Sequence, residues 1–363
     1  MISIKALARD YSVIFCDEKF IELKSSEYQL CLVDKKMRTS RDFVIASENI
    51  LEVECLENLK NMESVTWMLE KFSELQLHRG SKILCIGGGI LQDLTTIAAS
   101  LYMRGILWDF IPSTLQAMGD SCVGGKSAIN LRSKKNLIGN YYPPKNIFII
   151  PSLLSTLRVT DLQCGLVEML KINIMSDASD LQNNIDEFSF FHFGNLTKMN
   201  YQEIGAIIER TLKIKGKIVE EDEFDLASRK LLNFGHSFGH AIESISNFEI
   251  QHGHAVAIGM ICAIEFAKLG EGIPISPIFD KISSIVSNFL SPNQKRDFVR
   301  FLENIDFRIF ASILRSDKKS SNDSVVLILP SGSVLDIFHF KLDDAFIDKL
   351  KQSIQNAILN LGA

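Results

Sequence analysis

A chain of 363 residues exceeds what a single hydrophobic core usually supports, so two domains are expected. With 46% hydrophobic residues, 23% charged residues and a formal net charge of -5, it has an ordinary globular composition, and no basic run offers a nucleic-acid surface. The seven cysteines form no CxxC pair and read as buried free thiols. The N-terminus, MISIKALARDYSV, lacks the apolar core of a signal peptide and no run reaches the length of a membrane span, so the cytoplasm is the expected location.

The first third alternates short apolar runs with amphipathic ones. Strands are predicted at 12–16, 30–33 and 43–46, then a helix over 57–77 and a buried strand at 82–86 that ends in Gly87-Gly88-Gly89. Such alternation predicts a parallel sheet of Rossmann-like character. The glycines precede a helix-like run at 91–101, where a pyrophosphate can approach the backbone and meet the N–H donors and positive dipole end of a helix. The pattern is GGG-x3-D, ending at Asp93, and not GxGxxG; a tight structural turn explains it equally well. Arg104 comes just before a strand at 107–111, and Lys126, Lys135 and Asn136 fall in the Gly-, Ser- and Lys-rich stretch between it and a strand at 146–150. These groups suit a phosphate or carboxylate, and a solvated loop is the competing reading.

From Thr160 onward the pattern turns helical, with runs at 161–175, 201–223, 229–246, 255–269 and near 343–361, interrupted by a strand pair at 325–329 and 334–338. The boundary is therefore expected near Pro151, separating an α/β domain (1–151) from a mostly helical one (152–363).

Four of the seven histidines, His236, His240, His252 and His254, fall within residues 231–260. His236 and His240 are four apart in a helix-compatible run, so both imidazoles project from one face, within reach of a common ion or substrate. His252 follows a polar loop and heads a second apolar run that reads as another helix. Two helices meeting there would converge three imidazoles, and neutral imidazole is a common zinc ligand. His254, two positions further on, is turned well away from His252.

Taken in order, GGGILQD, YMRG, IPSTLQAMGDSCVGGKSAIN, KKNLIGNYYPPK, GLVEMLK, KGKIVEEDE, RKLLNFGHSFGHAIE, HGHAVAIGM and SDKK resemble blocks of the dehydroquinate synthase family of sugar-phosphate cyclases, over nearly the whole chain. The resemblance implies an α/β fold in which an N-terminal Rossmann-like parallel-sheet domain binds NAD and a mostly α-helical domain binds metal and substrate. Gly87, Gly88 and Gly89 would face the pyrophosphate; Asp93, Ser113 and Thr114 would lie near the rest of the dinucleotide, with Glu57 and Lys60 at a ribose and Asp34 at the adenosine ribose. The implied zinc ligands, with cobalt as an alternative metal, are Glu168, His236 and His252. His240 is thereby assigned to substrate and proton transfer and not to the metal.

Asp120, Lys126, Lys171 and Asn233 join His240 as implied catalytic groups, and Arg104, Lys135, Asn136, Lys215, Arg229 and Lys318 or Lys319 as substrate contacts. A pocket this cationic fits a phosphorylated sugar acid. The implied reaction converts 3-deoxy-arabino-heptulosonate 7-phosphate into 3-dehydroquinate with loss of phosphate, a step of the shikimate pathway, in a homodimer. His254 stands where the family usually has Glu, Ser113 where it has Thr, and Gln116 and Gly119 where apolar residues are usual. An imidazole at 254, when protonated, would change the charge beside a metal ligand by up to about one unit. The alternatives are a sister cyclase acting on glucose 6-phosphate or sedoheptulose 7-phosphate, and a metal-dependent alcohol dehydrogenase.

Overall fold

A computed structural model describes residues 1–40, 44–132, 134–270, 274–316 and 324–362. The chain forms two compact units, residues 1–162 with 199–226, and residues 163–198 with 227–363. The single boundary expected near Pro151 is thus replaced by a division the chain crosses more than once.

The first unit is built on strands β1 (Ile2–Ile4), β2 (Tyr11–Phe15), β3 (Leu30–Asp34), β4 (Ile50–Val53), β5 (Lys82–Gly87), β6 (Leu107–Pro112), the hairpin β7 (Lys126–Leu131) and β8 (Lys134–Tyr141), and β9 (Asn146–Ile149). Seven of them form one sheet in the order β1-β2-β9-β6-β5-β3-β4. All neighbours run parallel except β1 and β2. The central strands are apolar on both faces, as a sheet covered by helices requires. Those helices are α1 (Lys19–Ser25), α2 (Lys35–Ser40), α3 (Met62–Glu74) and α4 (Gly89–Leu101).

Two expectations shift here. The strand expected at 43–46 falls partly on residue 43, outside the described residues, and the strand that pairs with β3 is β4 instead. The helix expected over 57–77 is a 3-10 turn followed by α3, whose start is fixed by Asn61 accepting from Ser64 N at 3.0 Å. The stretch read as a Gly- and Lys-rich loop also carries a strand pair, β7–β8, with alternating burial on β7.

The second unit is helical: α5 (Val159–Asn173) leads into it and α6 (Ala178–Phe188) follows, while α7 (Tyr201–Glu221) returns to the first unit. Then come α8 (His236–Ile245), α9 (His252–Lys268), α10 (Ile278–Phe289), α11 (Pro292–Glu303) and α12 (Phe307–Ser316), the hairpin β10 (Ser324–Ser331) with β11 (Val334–Lys341), and α13 (Asp344–Gly362). Every residue from Gly253 to Phe266 on α9 is buried, so this helix is the unit's axis and is apolar all round. Phe266 closes its far end against Phe340 at 5.2 Å and Phe346 at 5.5 Å. Among the described residues no helix is long and apolar enough to cross a membrane.

Candidate functional site

The single helix expected over 229–246 is broken where the chemistry lies. A 3-10 turn (Ser228–Asn233) gives way to Gly235 at φ +78°, a left-handed conformation that suits glycine, and α8 then begins at His236. α8 and α9 touch through their backbones: a Cβ on Gly259 would lie 2.1 Å from Gly235 O, and one on Gly239 would lie 3.2 Å from Ala255 O. On the other side of α9 a Cβ on Gly253 would lie 2.4 Å from Cys164 Cα, so α5 also rests directly on it. Three helices held this close bring Glu168, His236 and His252 together.

Glu168 Oε1 is 3.2 Å from His252 Nε2 and 3.9 Å from His236 Nε2, and the two imidazole centroids are 5.2 Å apart. Lys171, one turn along α5, donates to the other carboxylate oxygen at 2.5 Å. Buried Oε1 has no hydrogen-bond donor. Burial opposes the Glu168 charge, but Lys171, followed by the imidazoles, holds the carboxyl well below its usual range. Burial first, and then Lys171, push His236 well down, which keeps it neutral. Burial acts the same way on His252, yet the Glu168 and Glu243 carboxylates outweigh it and raise it to about 10.

One ligand atom from each of Glu168, His236 and His252 falls within 4.8 Å of the others. Bonds of about 2.0–2.1 Å in a tetrahedral zinc site set ligand atoms roughly 3.3 Å apart. The donor set, its spacing and the orphaned Oε1 therefore fit zinc. His240 is exposed, with its ring 5.5 Å from His236 and 6.1 Å from His252. Asn233 ends the 3-10 turn and donates to Lys230 O at 2.9 Å, and Arg229 is buried beside it in that turn.

His254 faces elsewhere, which corrects the expectation that it alters charge beside the metal. It is buried, with Nε2 at 2.9 Å from Gln163 Oε1 and its ring against Phe298. Two residues of helix separate its direction from that of His252. Sequence reasoning missed Glu243, a buried acid one turn after His240 whose Oε2 lies 3.1 Å from His252 Nδ1. Its signal was an acid at helical spacing on the histidine face of α8.

In the first unit, β5 ends and α4 begins within Gly87-Gly88-Gly89. Gly88 caps α4 without a side chain, so the first N–H groups of the helix have no side-chain acceptor at the cap. A Cβ on Gly87 would lie 2.8 Å from Leu91 Cδ2, and one on Gly88 would lie 3.0 Å from Thr114 Cγ2; on Gly89 the nearest atom would be Ser121 Oγ at 3.8 Å. Ser113 N donates to Gly87 O at 2.8 Å, which sets Ser113 and Thr114 beside the turn. Asp34, at the end of β3, comes within 3.4 Å of the Gly87 Cβ position. The uncapped helix and the room at Gly89 fit a pyrophosphate.

Lys60 joins Asp93 at 2.6 Å and Asn136 at 3.0 Å, and Asn130 links Asn136 to Glu57. Glu57, Lys60 and Asp93 thus share one network, and Asn136, expected at the substrate, belongs to it as well. Burial pushes the Asp93 carboxyl up against the pull of Lys60. Lys215 pairs with Asp120 at 2.6 Å, within a π-helical turn, Ala117–Ser121. Lys126 pairs at 2.7 Å with Asp225, a second residue that sequence reasoning missed; it has φ +60°. Lys135 sits partly exposed on β8.

Arg104 is not brought to this group. α4 carries the chain back along the sheet before β6 starts, so Arg104 lies at the end of the parallel strands opposite to Gly87. Lys318 and Lys319 lie outside the described residues.

The fold is that of the sugar-phosphate cyclases. A solved 2-deoxy-scyllo-inosose synthase complexed with carbaglucose-6-phosphate, NAD+ and Co2+ matches with a TM-score of 0.80 at 22% identity, over 97% of this chain and 99% of that one. The 3-dehydroquinate synthase N-terminal family matches residues 50–164 and the 3-dehydroquinate synthase C-terminal family residues 165–320. Among curated relatives, a 3-dehydroquinate synthase of Thermoanaerobacter sp. (strain X514) is 32% identical over 91% of this chain and 94% of its own. One of Campylobacter jejuni is 37% identical over 76% of each. The chain belongs to the 3-dehydroquinate synthase family.

Proposed function

We infer that the chain is a 3-dehydroquinate synthase, an NAD- and zinc-dependent carbon-oxygen lyase that cyclises 3-deoxy-arabino-heptulosonate 7-phosphate to 3-dehydroquinate and releases phosphate in the shikimate pathway. The observation that carries the reading is the buried, donorless Glu168 Oε1 facing two imidazole nitrogens, in a chain of this family. When bound, NAD would supply reversible hydride transfer, and zinc, or cobalt in its place, the polarisation of a substrate hydroxyl.

The chain's own groups do the rest. Lys171 holds Glu168 Oε2 and leaves Oε1 for the metal. His240, exposed beside the cluster, would move a proton at a substrate hydroxyl oxygen, and Asn233 would orient a neighbouring hydroxyl. Lys126, Lys215 and Arg229 would bind phosphate or carboxylate, with Asp225 and Asp120 holding the two lysines in place. The later ring closure needs little more than one conformer held still. A homodimer in the cytoplasm, with a phosphorylated sugar acid as its substrate partner, completes the reading.

The identities of 32% and 37% to 3-dehydroquinate synthases, against 22% to the sister cyclase, favour this substrate. The test is phosphate release by the purified protein with zinc and NAD, comparing 3-deoxy-arabino-heptulosonate 7-phosphate with glucose 6-phosphate and sedoheptulose 7-phosphate. Release from the first alone supports the reading, and release only from either of the others replaces it with a sister cyclase. NADH accumulation without phosphate release makes the chain a dehydrogenase. Light scattering checks the dimer.

A further inference from the structure

Both imidazoles of the cluster turn Nε2 toward Glu168, and both have an acceptor behind them at Nδ1. For His236 that acceptor is a backbone carbonyl, Phe234 O, at 3.3 Å. For His252 it is the Glu243 carboxylate, at 3.1 Å. Glu243 is 7% exposed, on the buried face of α8, while His252 sits on α9. An ionised carboxylate only accepts, so the proton of a neutral His252 ring belongs on Nδ1. Nε2 then faces Glu168 Oε1 at 3.2 Å, with His236 Nε2 3.9 Å from the same oxygen, so a metal taken up there would meet the Nε2 lone pair.

We propose that Glu243 is the positioning residue of this centre: it fixes the tautomer and ring plane of His252, so that Nε2 is presented to a metal shared with Glu168 and His236. Carboxylate–histidine–metal relays of this kind raise the basicity of the ligand and hold its orientation, and their loss typically weakens metal binding about 10–100-fold. The inference rests on the metal reading and adds to it a residue that does not touch the metal. His240, Glu243 and His252 also lie within 4.8 Å of one another through one atom each, so Glu243 acting as a ligand itself is the rival arrangement.

The test uses the full chain stripped of metal and its Glu243→Gln and Glu243→Ala variants. Zinc affinity is read by competition with a chromogenic chelator, the thermal midpoint is read on the metal-free protein, and the visible spectrum is read after cobalt loading. The expected result is zinc binding roughly 10–100-fold weaker in Glu243→Gln and weaker again in Glu243→Ala, with the metal-free midpoint little changed and the cobalt band envelope of Glu243→Gln unchanged. Glu243→Gln keeps the shape of the side chain and carries the test if the alanine variant does not fold. Wild-type affinity in the folded variants overturns the proposal, as does weakened binding matched by an equal collapse of the metal-free protein. A cobalt spectrum of altered coordination makes Glu243 a ligand and also overturns it. Wild-type protein that takes up no zinc removes the functional reading together with this inference; zinc-binding wild type with unaffected variants removes this inference alone.

Discussion

Glycine makes room at the turn 87–89 and at the crossing of α8 with α9, but the room is used differently. At the crossing it is filled by protein: an added Cβ on Gly259 would lie 2.1 Å from Gly235 O, and on the other side of α9 one on Gly253 would lie 2.4 Å from Cys164 of α5, each closer than a side chain could tolerate. At Gly89 the nearest atom to an added Cβ would be 3.8 Å away, so packing alone does not demand glycine there. The helical unit spends its glycines on bringing three side chains together, and the donors are those side chains. The sheet unit leaves backbone N–H groups open at the start of α4, and the donors are the backbone itself. Changes to a side chain should therefore break the first region, and changes to the backbone surface the second.

The largest effect is expected from removing a donor of the cluster. Glu168→Ala or His252→Ala should abolish zinc retention in metal analysis and lower turnover by more than about 100-fold, beyond the loss of an outer partner. An active, metal-free variant would break the assignment. Lys215→Ala comes next. Both members of the Lys215–Asp120 pair are largely buried, so the change strands a carboxylate and should lower stability by about 3 kcal/mol in denaturant titration. It should also weaken binding of the phosphorylated acid far more than that of NAD, and equal loss for both would contradict the role given to Lys215.

Gly259→Ala forces a methyl group into Gly235 O, and overpacking of this kind costs about 1–3 kcal/mol. Its thermal midpoint should fall by roughly 5 °C, and zinc affinity with it, because His236 and His252 ride on the two helices pushed apart. The smallest effect is expected from Gly89→Ala. It should leave stability unchanged or raise it by about 0.5 kcal/mol, since alanine suits a helix better, yet weaken NAD binding by about 10-fold in equilibrium titration. Full NAD affinity in that variant would make the turn a structural device only.

The same contrast explains what could be read from the sequence. The alternation of the first third predicts the parallel sheet because buried strands and amphipathic helices have different periods, and β3, β5, β6 and β9 lie close to where the runs indicate. The hairpin β7–β8 was hidden by its lysines and glycines. Clustered histidines announce a metal or catalytic centre by spacing alone, but spacing favours His236 with His240. Glu168 is distant in sequence and lies on α5, and only the resemblance to a family singles it out; the distances to both imidazoles agree with it. Glu243 and Asp225 were not read at all. Each acts on a partner from another element, His252 on α9 and Lys126 on β7, and no local period records such a pairing. Helices α10, α11 and α12 were not predicted either, although the capping box that starts α11, Ser291 with Gln294, joins residues only three apart.

The proposed reaction returns its hydride within each turnover, so it needs both NAD and zinc and consumes neither. The most direct test is to supply metal-stripped protein with 3-deoxy-arabino-heptulosonate 7-phosphate and less NAD than substrate, and to count phosphate released per NAD before and after zinc is restored. No release is expected without zinc, and with zinc many phosphates per NAD without net NADH. Release that stops at one phosphate per NAD, or that proceeds equally without zinc, would contradict that expectation.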